Sequence, residues 1–272
     1  MKRFLIALQF LTIIPIKKNI AFDEDSLAKS TSFFVLVGLL QGLLLIATDY
    51  LARRIFHSDL VAGLILLVLV LSNGGFHLDG LSDTFDALAL KSGGDAAIDK
   101  QKRLAIMKTG TAGPIGVTAL FFVLALKYLA LNNLSHFQAF TYFSSLLLMP
   151  VLSKWAIVMS MFYGKPARED GLGRIFINRI NLREIVTSTG ILLVLIVLSS
   201  VVFSRFFSLY VPDKQYIFYI FLLLALSLFC CGEMMFFKKK FGGLTGDMLG
   251  ATSELTEIIF LFMVIAWSRF SI

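Results

Sequence analysis

The chain has 272 residues, 57% of them hydrophobic and only 16% charged, with a mean hydropathy of +0.83 and a formal net charge of +7. This composition excludes an ordinary soluble domain and predicts an all-α, polytopic membrane bundle, because helices satisfy their own backbone in lipid. In such a protein, excess positive charge is read as a record of topology rather than of nucleic-acid binding.

Met1 to Ile16 opens with Lys2 and Arg3 and continues apolar, in the manner of a signal peptide. Lys17 and Lys18 follow without a small-residue cleavage site. The spacing of Phe4, Leu5, Leu8 and Leu11 fits an N-terminal amphipathic helix lying at the membrane interface. Seven apolar stretches of about 20 residues come next. They lie at roughly 33–52, 59–76, 113–131, 138–160, 185–204, 215–237 and 253–270. Pro150 is expected to kink the fourth. Cys230 and Cys231 are neighbours in the sixth, which suits packing rather than a disulfide or a metal. Lys127 and Lys154 are expected to snorkel from near the ends of their spans. A single domain covering 1–272 accounts for the whole chain.

With seven spans and an inner N-terminus, the segments assigned to the inside carry 18 Lys and Arg, against 5 on the outside. That bias favours a cytoplasmic N-terminus. It also puts every polar motif on the cytoplasmic side. Lys238, Lys239 and Lys240 read as a lipid-headgroup anchor there, while His57 and His136 fall on outer loops and receive no role.

The first motif is Asn73-Gly74-Gly75-Phe76-His77-Leu78-Asp79-Gly80-Leu81-Ser82-Asp83-Thr84-Phe85-Asp86. Asp79, Asp83 and Asp86 are spaced by four and three, so a helix presents all three on one face. Stacked carboxylates repel one another, and a hard divalent cation that keeps positions for substrate phosphates would relieve them. Acids near a helix start also suit the dipole, which accounts for Asp79 and even Asp83 but not for a third acid one turn on. Gly74 and Gly75 would let backbone approach a ligand. His77 reads equally as a substrate contact or a structural hydrogen-bonding residue.

The second motif is Gly242-Gly243-Leu244-Thr245-Gly246-Asp247, followed by Glu254 and Glu257. The three acids again share a helical face, two of them inside an apolar span where a carboxylate demands a partner. The glycine-rich turn with Thr245 could offer N–H groups to phosphate. Two acidic faces meeting in one bundle would hold one or two metals, with Asp79, Asp83, Asp86, Asp247, Glu254 and Glu257 as candidate ligands. A third, basic set comprises Arg103, Lys108, Arg168 and Arg174, suited to phosphate charge, although any one of them could be ordinary positive-inside charge.

Taken together these segments resemble the cobalamin synthase family, the adenosylcobinamide-GDP ribazoletransferases. The similarity runs over nearly the whole chain: Ala7-Leu8-Gln9-Phe10-Leu11-Thr12, Ser32-Phe33-Phe34 to Val37-Gly38-Leu39, the motif at 74–88, Arg103-Leu104 with Ile106-Met107-Lys108, Gly171-Leu172-Gly173, and 243–251 with Glu254-Leu255. Thr109-Gly110 departs from the Asp-Ser that many members carry after Ile-Met-Lys, so no role is carried over there. The resemblance implies transfer of adenosylcobinamide phosphate from adenosylcobinamide-GDP to α-ribazole or its 5′-phosphate, with loss of GMP. It further implies Mg²⁺ as cofactor, a bacterial inner membrane as location, and Asp79, His77 and Asp83 as catalytic candidates. The proton acceptor stays open between His77 and an unliganded carboxylate. Membrane lipid is the expected surrounding, and a homo-oligomer or contact with other cobalamin-assembly enzymes is compatible with it.

Two rivals are weighed on residues. A CDP-alcohol phosphotransferase would carry Ala-Arg shortly after Asp79-Gly80, where this chain has Leu81, Ser82, Asp83 and Thr84. A transporter would place ionisable groups at mid-membrane, often in repeated halves, and the sequence shows neither.

Overall fold

The computed structural model describes residues 2–16, 23–169, 171–212 and 214–270. Lys17 and Lys18 lie outside them. Twelve α-helices are described: α1 Lys2–Leu11, α2 Glu24–Ser30, α3 Phe34–Ala52, α4 Ser58–Ser72, α5 Phe76–Leu88, α6 Ala96–Ile106, α7 Pro114–Leu134, α8 Ala139–Tyr163, α9 Leu172–Arg179, α10 Leu182–Phe206, α11 Gln215–Phe241 and α12 Gly246–Phe270. Six segments are long and apolar enough to cross a membrane by themselves, and the α4–α5 pair provides a seventh if counted as one bent span. The protein is a polytopic helical membrane protein.

The core is built around α8, which is 94% buried over its apolar window while α7 and α11 leave most of their surface to lipid. The expected kink at Pro150 does not interrupt it, for α8 runs unbroken from Ala139 to Tyr163. Packing explains the tolerance. Gly38 and Gly42, four apart on α3, let that helix lie against α8 so closely that a Cβ would stand 2.5 Å from the Pro150 carbonyl oxygen or 2.4 Å from that of Leu147. Small residues at this spacing are how membrane helices gain contact without a hydrophobic driving force.

The second apolar stretch ends earlier than expected. After Ser72 the chain bends by 87° into α5. Gly74 (φ 66°) and Gly75 (φ 76°) take left-handed conformations open to glycine at little cost, and the Asn73 side chain accepts from the Gly75 N–H at 3.0 Å. The α4–α5 pair is therefore a bent element, in which α5 turns its acids across one end of the bundle. At the opposite end, buried Asp49 accepts from Arg53 at 2.7 Å and from the Tyr142 hydroxyl at 2.6 Å.

The N-terminal helix forms as expected, but it is packed into the protein. Ile6, Ala7 and Leu11 are buried, and Phe10 meets Phe176 of α9 with ring centroids 4.6 Å apart and Phe34 of α3 at 6.0 Å.

Lys127 and Lys154 do not snorkel. Both are almost completely buried inside the bundle. Lys127 of α7 donates to Glu254 and Glu257 of α12, each at 2.5 Å, and Ser153 donates to the other Glu257 oxygen at 3.0 Å. Lys154 lies 3.4 Å from the hydroxyls of Ser153 and Ser253. Reaching water from those depths would leave two carboxylates alone in a low-dielectric interior, which costs far more than pairing them. The expectation that no ionisable groups occupy the middle of the membrane is thereby corrected.

Candidate active site

The acidic end is assembled by the α5–α12 contact. Gly80 brings the two backbones together: a Cβ there would lie 2.4 Å from the Asp247 carbonyl oxygen. Asp79 and Asp83 of α5 are thus set beside Asp247 in the first turn of α12. Asp79 is exposed and Asp83 half-buried, and among the described residues neither is engaged by a hydrogen bond or an ion pair. Burial, then the charges of Asp79, Asp247 and Asp86, push the Asp83 carboxyl from its ordinary 3.8 up to about 6.

Asp247 is held from two directions. Thr245, the residue before α12, turns its hydroxyl toward Asp247 at 3.3 Å while accepting from the Met248 N–H at 3.4 Å. The expected phosphate contact of Thr245 is therefore replaced by a helix cap, and the side chain is buried. Leu244 exchanges backbone hydrogen bonds with the 165–167 segment, its N–H to Lys165 at 2.7 Å and its carbonyl from Ala167 at 2.9 Å. This short pairing delivers Arg168, whose guanidinium donates to Asp247 at 2.9 Å. Arg174 is exposed on α9, a helix that packs over the start of α12 at Gly173, and Lys108 is exposed after α6.

Three expected ligands have other work. Asp86 accepts from the N–H groups of Gly113 at 2.6 Å and Gly116 at 2.8 Å, capping α7 with both oxygens. Glu254 and Glu257 face Lys127 in the interior rather than Asp79 and Asp83. Arg103 is also redirected: it is buried and donates to the carbonyls of Leu90 at 3.0 Å and Lys240 at 3.5 Å, tying α6 to the end of α11. Gly74 and Gly75 serve the bend.

Among the described residues, no three His, Cys, Asp or Glu side chains converge closely enough to enclose a metal ion. The donor set still fits a hard cation of partial protein coordination. Mg²⁺ commonly takes one or two carboxylates and leaves the rest of its shell to water and substrate phosphate, and Asp79, Asp83 and Asp247 place an excess of negative charge where such an ion would stand.

A cavity of about 430 Å³ opens beside them. Asp79, His77 and Asp247 form its polar side, and Phe10 and Leu11 of α1, Ile157 and Met161 of α8 and Leu249 of α12 form its apolar side. His77 is buried, with Nδ1 3.2 Å from the Ser253 hydroxyl and 3.5 Å from the Asn73 amide nitrogen, so it lines the cavity while bonded to structure behind it. Sequence reasoning missed the apolar wall, because side chains at 10–11 and 157–161 look like ordinary helix-packing residues. It missed the Lys127 pairing too, although a lysine and two glutamates in separate apolar spans are a signal that each requires a counter-charge.

Comparison with known proteins places the chain in a family. The family model of CobS, described as cobalamin-5-phosphate synthase, matches residues 3–265. The chain is 39% identical over 261 residues to an adenosylcobinamide-GDP ribazoletransferase of Thermodesulfovibrio yellowstonii, covering 95% of this chain and 94% of the relative. It is 35% identical to that of Geotalea daltonii, with 98% of each covered, and 34% identical to that of Caldanaerobacter subterraneus, with 95% and 96% covered. No solved structure matches the chain. A match that spans residues 3–265 makes this chain a member of the CobS, or cobalamin-5-phosphate synthase, family.

Proposed function

We propose that the chain is an adenosylcobinamide-GDP ribazoletransferase, catalysing nucleotide-loop assembly in cobalamin synthesis. A hydroxyl oxygen of α-ribazole, or of its 5′-phosphate, bonds to the phosphorus nearest the corrinoid. The bond from that phosphorus to the GMP oxygen breaks, GMP departs with the electron pair, and the hydroxyl proton passes to a base. The observation that carries this reading is the cluster of Asp79, Asp83 and Asp247, with Arg168 as its single described ion-pair partner, beside a cavity that Asp79 and Asp247 line, in a chain whose relatives bear that activity in their names.

Asp79, Asp83 and Asp247 would hold Mg²⁺, which when bound neutralises diphosphate oxygens and stabilises the leaving GMP. Arg168 orients Asp247 and adds the nearest cation to the phosphate side. Lys108 and Arg174, both exposed, are placed to take up outlying phosphate charge. His77 is fixed by Ser253 and Asn73 at the cavity wall, where it or a carboxylate outside the metal shell accepts the proton; catalysis otherwise consists of positioning. The inner membrane with the N-terminus and the acidic end on the cytoplasmic side is supported by the distribution of Lys and Arg and suits soluble nucleotide substrates. The buried Lys127 group does not favour transport, because its charges are matched and sealed by packing.

The test is to mix purified protein with Mg²⁺, adenosylcobinamide-GDP and α-ribazole 5′-phosphate. GMP and a base-on corrinoid are expected in equal amounts. Uptake of a substrate by proteoliposomes without any turnover would overturn the assignment.

A further inference from the structure

The cavity beside Asp79 has two unlike halves, and the transferred phosphate needs only one of them. We infer that the apolar half is the subsite for the aromatic base of the incoming ribazole, seated between α1 and α8 with its ribose turned toward Asp79 and Asp247. This inference rests on the transferase reading above and specifies where the second substrate lies.

Three properties of the wall select the occupant. The first is chemistry. Apart from Gln9, whose amide stands at the exposed edge of α1, the wall of Phe10, Leu11, Ile157, Met161 and Leu249 presents no hydrogen-bonding side-chain atom. Guanine, with its amide and amino edge, would bury most of its polar groups unpaired against them. A fused benzimidazole-type ring with alkyl substituents loses nothing there and gains apolar burial. The second is size. A volume of about 430 Å³ lies within the usual range for a drug-sized ligand and accepts a nucleoside. A corrinoid is bulkier and stays at the mouth. The third is rigidity. Ile157 and Met161 lie four residues apart on the buried central helix, forming a shelf that does not move without α8. Phe10 is braced from behind by Phe34 and Phe176.

The consequence for the known family reaction is a division of labour. The carboxylate wall serves the diphosphate, and the α1–α8 wall chooses the base. The N-terminal helix, which looks like a membrane-surface element in sequence, becomes part of the specificity apparatus.

Steady-state kinetics of the full-length protein with Mg²⁺, varying each substrate in turn, test this. Met161→Gln places an amide in the wall and should raise KM for α-ribazole 5′-phosphate about tenfold while leaving KM for adenosylcobinamide-GDP within about twofold. Met161→Leu, which keeps the wall apolar, should reverse most of the tenfold rise seen with Met161→Gln. The wild-type protein provides an arm that needs no variant: the ribotide of adenine should be used about a hundredfold less efficiently than that of an alkylated benzimidazole. A selective rise in KM for adenosylcobinamide-GDP would overturn the inference and assign the wall to guanosine or corrinoid. Equal use of the two ribotides would overturn it as well. Absence of GMP release from the wild-type protein would instead defeat the transferase reading, and the subsite with it.

Discussion

Two groups of carboxylates share the α12 face, and they are neutralised in opposite ways. Deep in the bundle, Glu254 and Glu257 both pair with Lys127 at 2.5 Å, and Lys154, buried beside Ser153 and Ser253, supplies the second positive charge. About 10 Å of helix rise away, by the spacing of seven residues, Asp247 meets Asp79 and Asp83 and is ion-paired with Arg168. The same residue type on the same helix is structural in one place and available in the other. What separates them is whether the protein supplies the counter-charge itself. A site is to be sought where it does not.

Removing charge from each group should therefore have unlike effects. Asp79→Asn is expected to lower turnover by about 10³-fold, comparable to losing a principal electrostatic stabiliser, with folding intact because no described contact is lost. Expression and melting temperature measured beside GMP release check both halves of that statement. Lys127→Met is expected to do the reverse of sparing the fold. It strands two buried carboxylates and should cost about 3–5 kcal/mol of stability, read as loss of folded protein in detergent. Adding Glu254→Gln and Glu257→Gln to it should recover most of the loss. Failure to recover would show that the ion pair is not what holds α7 to α12.

Asp86 is the intermediate case, an acid of the exposed face that has been taken over by structure. Asp86→Ala leaves the N–H groups of Gly113 and Gly116 without their acceptor and should destabilise by about 1–3 kcal/mol, with KM for Mg²⁺ unchanged. A large rise in that KM would return Asp86 to the metal shell.

The smallest effect is one of pH. The folded-state pKa of Asp83 lies above the unfolded value, so its contribution to stability is fully present below about 4 and is lost as pH rises through about 6. Metal-free protein should accordingly melt at a lower temperature at pH 7 than at pH 5 through this group, and Asp83→Asn should flatten the dependence. Thermal unfolding across that range, with and without a divalent cation, reads it directly.

Much of this was legible from residues alone, and the misses share a cause. The polytopic helical architecture, the helix-end acids and the convergence of the Asp79 and Asp247 motifs follow from local patterns: apolar run length, a spacing of four and three, and glycines at approach points. The 87° bend after Ser72 was hidden because Asn73-Gly74-Gly75 continues an apolar run without a charge to mark its end. The roles of Asp86, Arg103, Glu254, Glu257 and Lys127 were misread because each is decided by a partner at long range, on another helix. Helical spacing tells which acids share a face; it does not tell which of them meets a cation or a row of backbone N–H groups. The apolar wall was illegible for a related reason, since Ile157 and Met161 differ from other core residues only in facing a void.

The central claim is that the uncompensated carboxylates, and not the compensated ones, hold a divalent cation. Titrating Mn²⁺ as a spectroscopic stand-in for Mg²⁺ into wild-type protein and into the Asp79→Asn and Glu254→Gln variants tests it most directly. One saturable site in the wild type, retained in Glu254→Gln and lost or weakened at least about tenfold in Asp79→Asn, is the predicted result. A site that survives Asp79→Asn but disappears in a folded Glu254→Gln protein would contradict the account.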